Sequence, residues 1–142
     1  GYQHIYVLDI SAKAIDRAKE RLGERASKVN WIVADVTTFI TDIQFDLWHD
    51  RAAFHFLTTK KAIDKYVHKA ERSIIPKGFL VLGTFSEDGP EKCSGLEIKQ
   101  YSEASMSKRF AQHFERIKCV KENHTTPFDT QQNFVFCSFR KL

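Results

Sequence analysis

Three aspartates stand where short apolar runs end. Asp9 closes the run in "HIYVLDIS", Asp35 closes "WIVADV", and Asp50 stands inside "FDLWHDRAAFHFL" with Arg51 and His55 close behind it. A carboxylate at a strand tip accepts two hydrogen bonds at once, so it can fix a pair of neighbouring hydroxyls. An arginine presents a planar cation that fits a carboxylate or another anion, and a histidine can take a proton near neutral pH. Each has a plainer role as well. A strand-end aspartate also favours the start of the following helix, and a histidine among Phe54, Phe56 and Leu57 also packs as core.

The elements that must carry these residues alternate in type. Ile5–Leu8 reads as a buried strand. Ser11 then caps a helix whose apolar positions Ala14, Ile15, Ala18 and Leu22 fall on one side, with Gly23 near its end. Val29–Val33 and Phe45–Trp48 are further strands, ended by Asp35 and Asp50. Between Lys60 and Ile75 the positions Ala62, Ile63, Tyr66, Val67, Ala70 and Ile74 keep helical period, and Pro76–Gly78 punctuates the chain. Gly78–Phe85 reads as a fully buried strand. Strands alternating with helices predict a parallel sheet covered on both faces.

The last third changes style. A helix is expected near Ser102–Phe114, with Met106, Phe110 and Phe114 on one side. Two β-like runs follow, Glu115–Asn123 and Gln132–Phe139, joined by "HTTPFDTQQ", a loop of turn-forming residues. The reading is a terminal antiparallel hairpin added to a parallel sheet. No linker, repeat or low-complexity stretch divides the 142 residues, so they are assigned to one domain, 1–142.

Composition narrows the function classes. Hydrophobic residues make up 42% of the chain, enough to bury a core, so disorder is excluded. The net charge of +4 comes from scattered basic residues, and no basic, aromatic-interleaved surface argues for a nucleic-acid partner. Cys93, Cys119 and Cys137 lack paired spacing and are expected as reduced thiols, which favours a cytoplasmic protein. No apolar run reaches the roughly 18 residues that span a membrane. His49, His55, His68 and the cysteines show no metal-ligand spacing, so no metal is expected.

Taken in order, "VLDIS", "WIVADV", "FDLWHDRAAFHFL", "IIPKGFLVLGTFS" and the closing "FVFCSFRK" resemble a class I, Rossmann-like S-adenosylmethionine-dependent methyltransferase. The resemblance runs through nearly the whole chain. It implies an α/β fold with a mostly parallel sheet, helices on both faces and a C-terminal antiparallel hairpin. It also implies S-adenosylmethionine as cofactor and methyl transfer to an N, O or S nucleophile of a small-molecule substrate. Asp9 would hold the ribose, Ile10 would pack on the adenine, and Asp35 with the Val36 backbone would meet the adenine edge. Asp50 would lie near the methionine part of the cofactor, Arg51 would hold an anionic substrate, and His55 would take a proton from the acceptor. The long stretch "FSEDGPEKCSGLEIKQY" is placed to wall the substrate. His124, Pro127, Phe128 and Gln131 resemble a substrate-side loop of the same subgroup.

One departure stands out. Class members open with a strand that runs into a glycine-rich turn, and here neither precedes His4; the six glycines form no GxGxxG-like cluster. The first strand of such a sheet lies between the second and the fourth, so its absence leaves strand edges without partners. Three expectations follow. The chain is an excised piece of a longer enzyme, or it pairs its second and fourth strands directly, or it exchanges strands with another copy as a homodimer. A truncated, non-catalytic domain that works through self-association is the competing reading. A nicotinamide-dependent oxidoreductase would also use Asp9, but it needs its own glycine fingerprint.

Overall fold

A computed structural model describes residues 1–142. The chain folds as two compact units, Gly1–Thr41 and Asp42–Leu142.

The first unit is a strand–helix–strand element. β1 (Ile5–Asp9) leads into α1 (Ala12–Leu22), a short 3-10 turn over Gly23–Lys28, and β2 (Val29–Val33). The start of α1 is set as the sequence predicts: the Ser11 hydroxyl accepts from the Ala14 N–H at 3.2 Å. Its end is set by Gly23, whose φ of 57° is a left-handed conformation that other residues adopt at a cost. β1 and β2 pair in parallel from Ile5 opposite Val29 to Asp9 opposite Val33. Both strand tips therefore finish on one edge, with Asp9 at one tip and Asp35 two residues past the other.

The second unit is built on a four-stranded sheet in the order β3 (Phe45–Arg51), β4 (Ile74–Phe85), β8 (Gln131–Lys141), β7 (Phe114–Thr125). The β3–β4 pair is parallel; β8 joins β4, and β7 joins β8, in antiparallel fashion. α2 (Lys60–Ser73) connects β3 to β4, and α3 (Glu103–Phe110) precedes β7. Alternation along β4 sends Leu80, Leu82 and Thr84 to one face, opposite Phe139, Cys137 and Val135 of β8, and all six are buried. That face carries the core, shared with Ile63, Tyr66, Val67 and Ala70 of α2 and with Met106 and Phe110 of α3. Aromatic contacts knit it together: Phe54 meets Tyr66, Tyr101 and Phe110 at 4.7, 5.2 and 5.4 Å between ring centres.

Several boundaries differ from the sequence reading. Pro76–Gly78 does not precede the strand but interrupts it as a bulge. Phe45 pairs with Ile74, while Leu47 pairs with Phe79, so four residues of β4 stand opposite Asp46. Lys77 takes a φ of 66° there, and a side chain on Gly78 would lie 2.9 Å from the Ile75 carbonyl. The helix expected to reach Phe114 stops at Phe110, because Phe114 instead pairs with Lys141 as the first residue of β7. The hairpin strands run farther than read, leaving Thr126–Thr130 as the turn, closed by the Thr126 N–H donating to the Thr130 carbonyl at 2.9 Å. The stretch from Ser86 to Tyr101 folds a small hairpin of its own, β5 (Lys92–Cys93) with β6 (Leu96–Glu97).

Two further expectations are corrected. β1 and β3 do not pair with one another; β1 has β2 as its one strand neighbour and β3 has β4. The cysteines are not all reduced: Cys119 and Cys137 form a disulfide, and Cys93 alone is free. Cys119 stands directly opposite Cys137 in the β7–β8 ladder, and neighbours across an antiparallel pair are close enough to bridge.

Candidate functional site

The first unit gathers Asp9, Ile10, Asp35 and Val36 at the carboxyl edge of its parallel pair. Asp9 is half-buried, and its Oδ1 accepts from the Ser11 N–H at 2.8 Å, which turns the carboxylate toward the start of α1 and leaves Oδ2 with no protein donor. Ile10, next to it, is 72% exposed, which is unusual for a large apolar side chain between a strand and a helix. Asp35 shapes the turn after β2. Its Oδ1 accepts from the Thr37 N–H at 2.7 Å and from the Thr37 hydroxyl at 2.8 Å. The Asp35 carbonyl accepts from the Phe39 N–H at 2.9 Å. Val36 is half-buried, and its N–H donates to no protein acceptor. An acceptor-rich carboxylate, an exposed apolar side chain and an open backbone donor on one strand edge fit an adenosine. The carboxylate suits ribose hydroxyls, the aliphatic side chain a flat ring, and the amide a ring nitrogen.

The second unit places Asp50, Arg51 and His55 at the end of β3 and in the turn beyond it, in three different environments. Asp50 points to the helix-covered face and is 6% exposed. Its Oδ1 accepts from the Ala53 and Phe54 N–H groups at 2.9 and 3.3 Å, and its Oδ2 accepts from the Tyr66 hydroxyl at 2.5 Å. The same hydroxyl accepts from the Trp48 Nε1–H at 3.1 Å. Burial raises the Asp50 pKa above its ordinary value, against the lowering effect of these donors, and burial beside Asp50 raises that of Tyr66 well above its own. The Asp50 carboxylate therefore pins the turn after β3 to α2.

His55 lies inside that turn and is fully buried. Its Nδ1 accepts from the Phe85 N–H at 3.3 Å, so the ring proton sits on Nε2, which is enclosed without a partner. Burial pushes its pKa down to about 4, so the ring is neutral at physiological pH. The His55 carbonyl accepts from the Lys99 N–H at 2.8 Å, which ties the turn to the stretch after β4.

Arg51 points to the opposite, open face. Its guanidinium lies 5.5 Å above the Phe134 ring and makes no ion pair. It lines a cleft of about 380 Å³ with His49, Glu122, His124, Phe134 and Phe136. Behind Arg51 the backbone is constrained: Ala52 takes a φ of 66° while its N–H donates to the Gly83 carbonyl at 2.7 Å. Of the hairpin residues expected on the substrate side, His124 lines this cleft, and Phe128 at the tip is 88% exposed.

Sequence reasoning did not single out Tyr66, His49, Glu122, Phe134 or Phe136. Tyr66 reads as one more apolar position of α2, and only tertiary packing brings it to Asp50. The cleft had a signal: His49 with Arg51, Glu122 with His124 and Phe134 with Phe136 each repeat at a spacing of two, so each pair shares one face of its strand.

Comparison with known proteins agrees with this architecture. A model of the methyltransferase domain family matches residues 1–82, more than half of the chain. Nodulation protein S of Rhizobium fredii is 35% identical over 82 residues, which cover 58% of this chain and 46% of that protein. The matched region thus spans about half the length of this curated relative. Among solved structures, the N-methyltransferase NodS from Bradyrhizobium japonicum WM9, in complex with S-adenosyl-L-homocysteine, superposes with a TM-score of 0.75 at 18% identity, covering 97% of this chain and 66% of that one. The Burkholderia thailandensis 1,6-didemethyltoxoflavin-N1-methyltransferase superposes with a TM-score of 0.72 at 17% identity, covering 97% of this chain and 61% of that one. At such identities the structures speak for the fold, and the family match speaks for descent. The chain belongs to the class I, S-adenosylmethionine-dependent methyltransferase family.

Proposed function

We propose that the chain takes part in methyl transfer from S-adenosylmethionine to an N, O or S nucleophile of a small molecule. The observation that carries this reading is the carboxyl edge of β1 and β2, where Asp9, the exposed Ile10 and the open Val36 N–H stand together within the family-matched residues. Asp9 Oδ2 would accept from the ribose, Ile10 would cover the adenine face, and the Val36 N–H with the Asp35 carboxylate would meet the adenine edge. Bound there, the cofactor would supply an electrophilic methyl group on a sulfonium, with S-adenosylhomocysteine as the leaving group. The protein's task is alignment and exclusion of water, with a base needed only for an acceptor that must lose its proton.

In the second unit Asp50 would act by holding the turn after β3, and Arg51 by orienting an anionic acceptor. His55 would meet an acceptor proton only in a conformation that opens the Phe54–Phe56 turn, because both ring nitrogens are enclosed as the chain stands. The N-methyltransferase description of NodS and the small molecule bound to the Burkholderia neighbour support a small acceptor. Backbone amide shifts on addition of S-adenosylhomocysteine test the cofactor reading. Shifts concentrated at Asp9, Ile10 and Val36 are expected, and a folded protein with no shifts there would overturn it.

Self-association is a second reading, favoured by the single strand neighbour of β1 and of β3. Light scattering that finds a dimer, dissociated by a proline at Leu47 in β3, would support it; a monomer at all concentrations would remove it.

A further inference from the structure

The open face of the second unit's sheet carries a cleft lined by charged and aromatic side chains. Three strands contribute two residues each: His49 and Arg51 from β3, Glu122 and His124 from β7, Phe134 and Phe136 from β8. The strand between β3 and β8 contributes Gly83, and the absent side chain there is what makes a floor. A Cβ on Gly83 would collide with Cε1 of Phe136, so the ring occupies the space above β4 that a side chain would fill. Phe134 and Phe136 stack with ring centres 5.6 Å apart and planes 17° from parallel. Phe85 and His124 meet Phe134 edge-on at 4.9 and 6.3 Å, which holds that ring in place.

The charges are arranged around this aromatic floor. Arg51 reaches over the Phe134 face and has no carboxylate within ion-pair range. Such a guanidinium keeps its in-plane donors for an incoming anion while its face rests on the phenyl ring. Glu122 on the far wall is likewise without an ion pair, so it opposes a second negative charge at that end of a ligand. A volume of about 380 Å³ stands near the lower end of small-molecule sites, enough for one molecule of one or two fused rings.

We propose that this cleft is the acceptor site and that its ligand is a planar aromatic or heteroaromatic molecule with a single anionic group, the ring on the half-buried Phe136, which the buried Phe134 supports, and the anion on Arg51. The proposal rests on the methyl-transfer reading for the word acceptor, while the binding itself stands on the cleft alone.

Titration calorimetry with 2-naphthoate tests it, beside the uncharged 2-naphthol and the non-aromatic cyclohexanecarboxylate. Saturable binding of 2-naphthoate is expected, weakened about tenfold or more by Arg51→Gln and to a similar degree for 2-naphthol, as loss of a charge-assisted contact dictates. Phe136→Leu, which keeps an apolar cover on Gly83, should weaken 2-naphthoate severalfold and leave cyclohexanecarboxylate unchanged. Absence of saturable heat from millimolar 2-naphthoate on folded protein overturns the proposal, as does equal binding by wild type and Arg51→Gln. Titration of the same proteins with S-adenosylhomocysteine separates the two readings. Retained adenosyl binding without naphthoate binding sinks the acceptor class alone, and naphthoate binding without adenosyl binding sinks the cofactor reading alone. If Arg51→Gln weakens S-adenosylhomocysteine and spares 2-naphthoate, Arg51 serves the cofactor and the proposal fails.

Discussion

Replacing Tyr66 with phenylalanine should cost far more than a single surface hydroxyl. The Tyr66 oxygen sits between a buried carboxylate and a half-buried indole, donating to Asp50 Oδ2 at 2.5 Å and accepting from Trp48 Nε1 at 3.1 Å. Its loss leaves a carboxylate that is 6% exposed with one donor fewer, and takes this acceptor away from the indole N–H. A hydrogen bond to a charged group contributes about 1.5–3 kcal/mol and the indole is only half-buried, so the expected loss is about 2 kcal/mol. Asp50→Asn keeps the acceptors for Ala53 and Phe54 and should lose only about 1 kcal/mol. The pH dependence carries the sign. Burial raises the Asp50 pKa, so the folded state favours the protonated carboxyl. Wild type therefore loses stability as pH rises from about 4 through the folded-state pKa, whereas Asp50→Asn has no proton to lose. The gap between the two should narrow across that window. Urea unfolding followed by Trp48 fluorescence in a Trp31→Phe background measures it. A loss below about 1 kcal/mol for Tyr66→Phe, or a gap constant with pH, would refute the reasoning.

Other expectations follow from the same geometry. Ala52→Gly should be neutral or stabilising and Ala52→Val strongly destabilising in thermal unfolding, because the φ of 66° suits glycine and opposes a branched side chain. Thr59→Ala removes the hydroxyl that accepts from the Ala62 N–H at the start of α2, and should cost about 1 kcal/mol in the same assay. The His55 ring, with its pKa pushed down to about 4, should stay neutral in an NMR titration from pH 8 to pH 5. Unfolding releases it to take a proton near pH 6.5, so its contribution to stability is lost as pH falls from 6.5 toward 4 and is flat above. Intact mass under non-reducing conditions should be two hydrogens lighter than the fully reduced chain, with one alkylatable thiol, Cys93.

Local signals carried much of the architecture. The Ser11 cap, the Gly23 stop, β2 and most of β1, β3 and α2 all follow from side-chain period and from capping chemistry that acts over a few residues. What escaped depends on register and on layers meeting. The disulfide is an instance: Cys119 and Cys137 each stand nine residues from Phe128, so a hairpin turning symmetrically about Phe128 brings them opposite, but pair spacing alone does not reveal the turn centre. The Pro76–Gly78 bulge escaped because Pro and Gly read as a boundary, while β3 on the other side keeps the strand going past them. In the candidate site, Asp9, Ile10, Asp35 and Val36 could be marked in the sequence because strand tips are local features. Asp50 and Arg51 read as one group in the sequence, yet adjacent residues on a strand face opposite ways, which sends one to the core and the other to the cleft.

Calorimetric titration of the chain with S-adenosyl-L-homocysteine, repeated on Asp9→Ala, asks whether the carboxyl edge of β1 and β2 holds an adenosyl group. Saturable binding to the wild type is expected, with an affinity lower by about tenfold or more in the variant, roughly 1.4 kcal/mol. Binding of equal strength by both proteins, or no binding by a folded wild type, would contradict it.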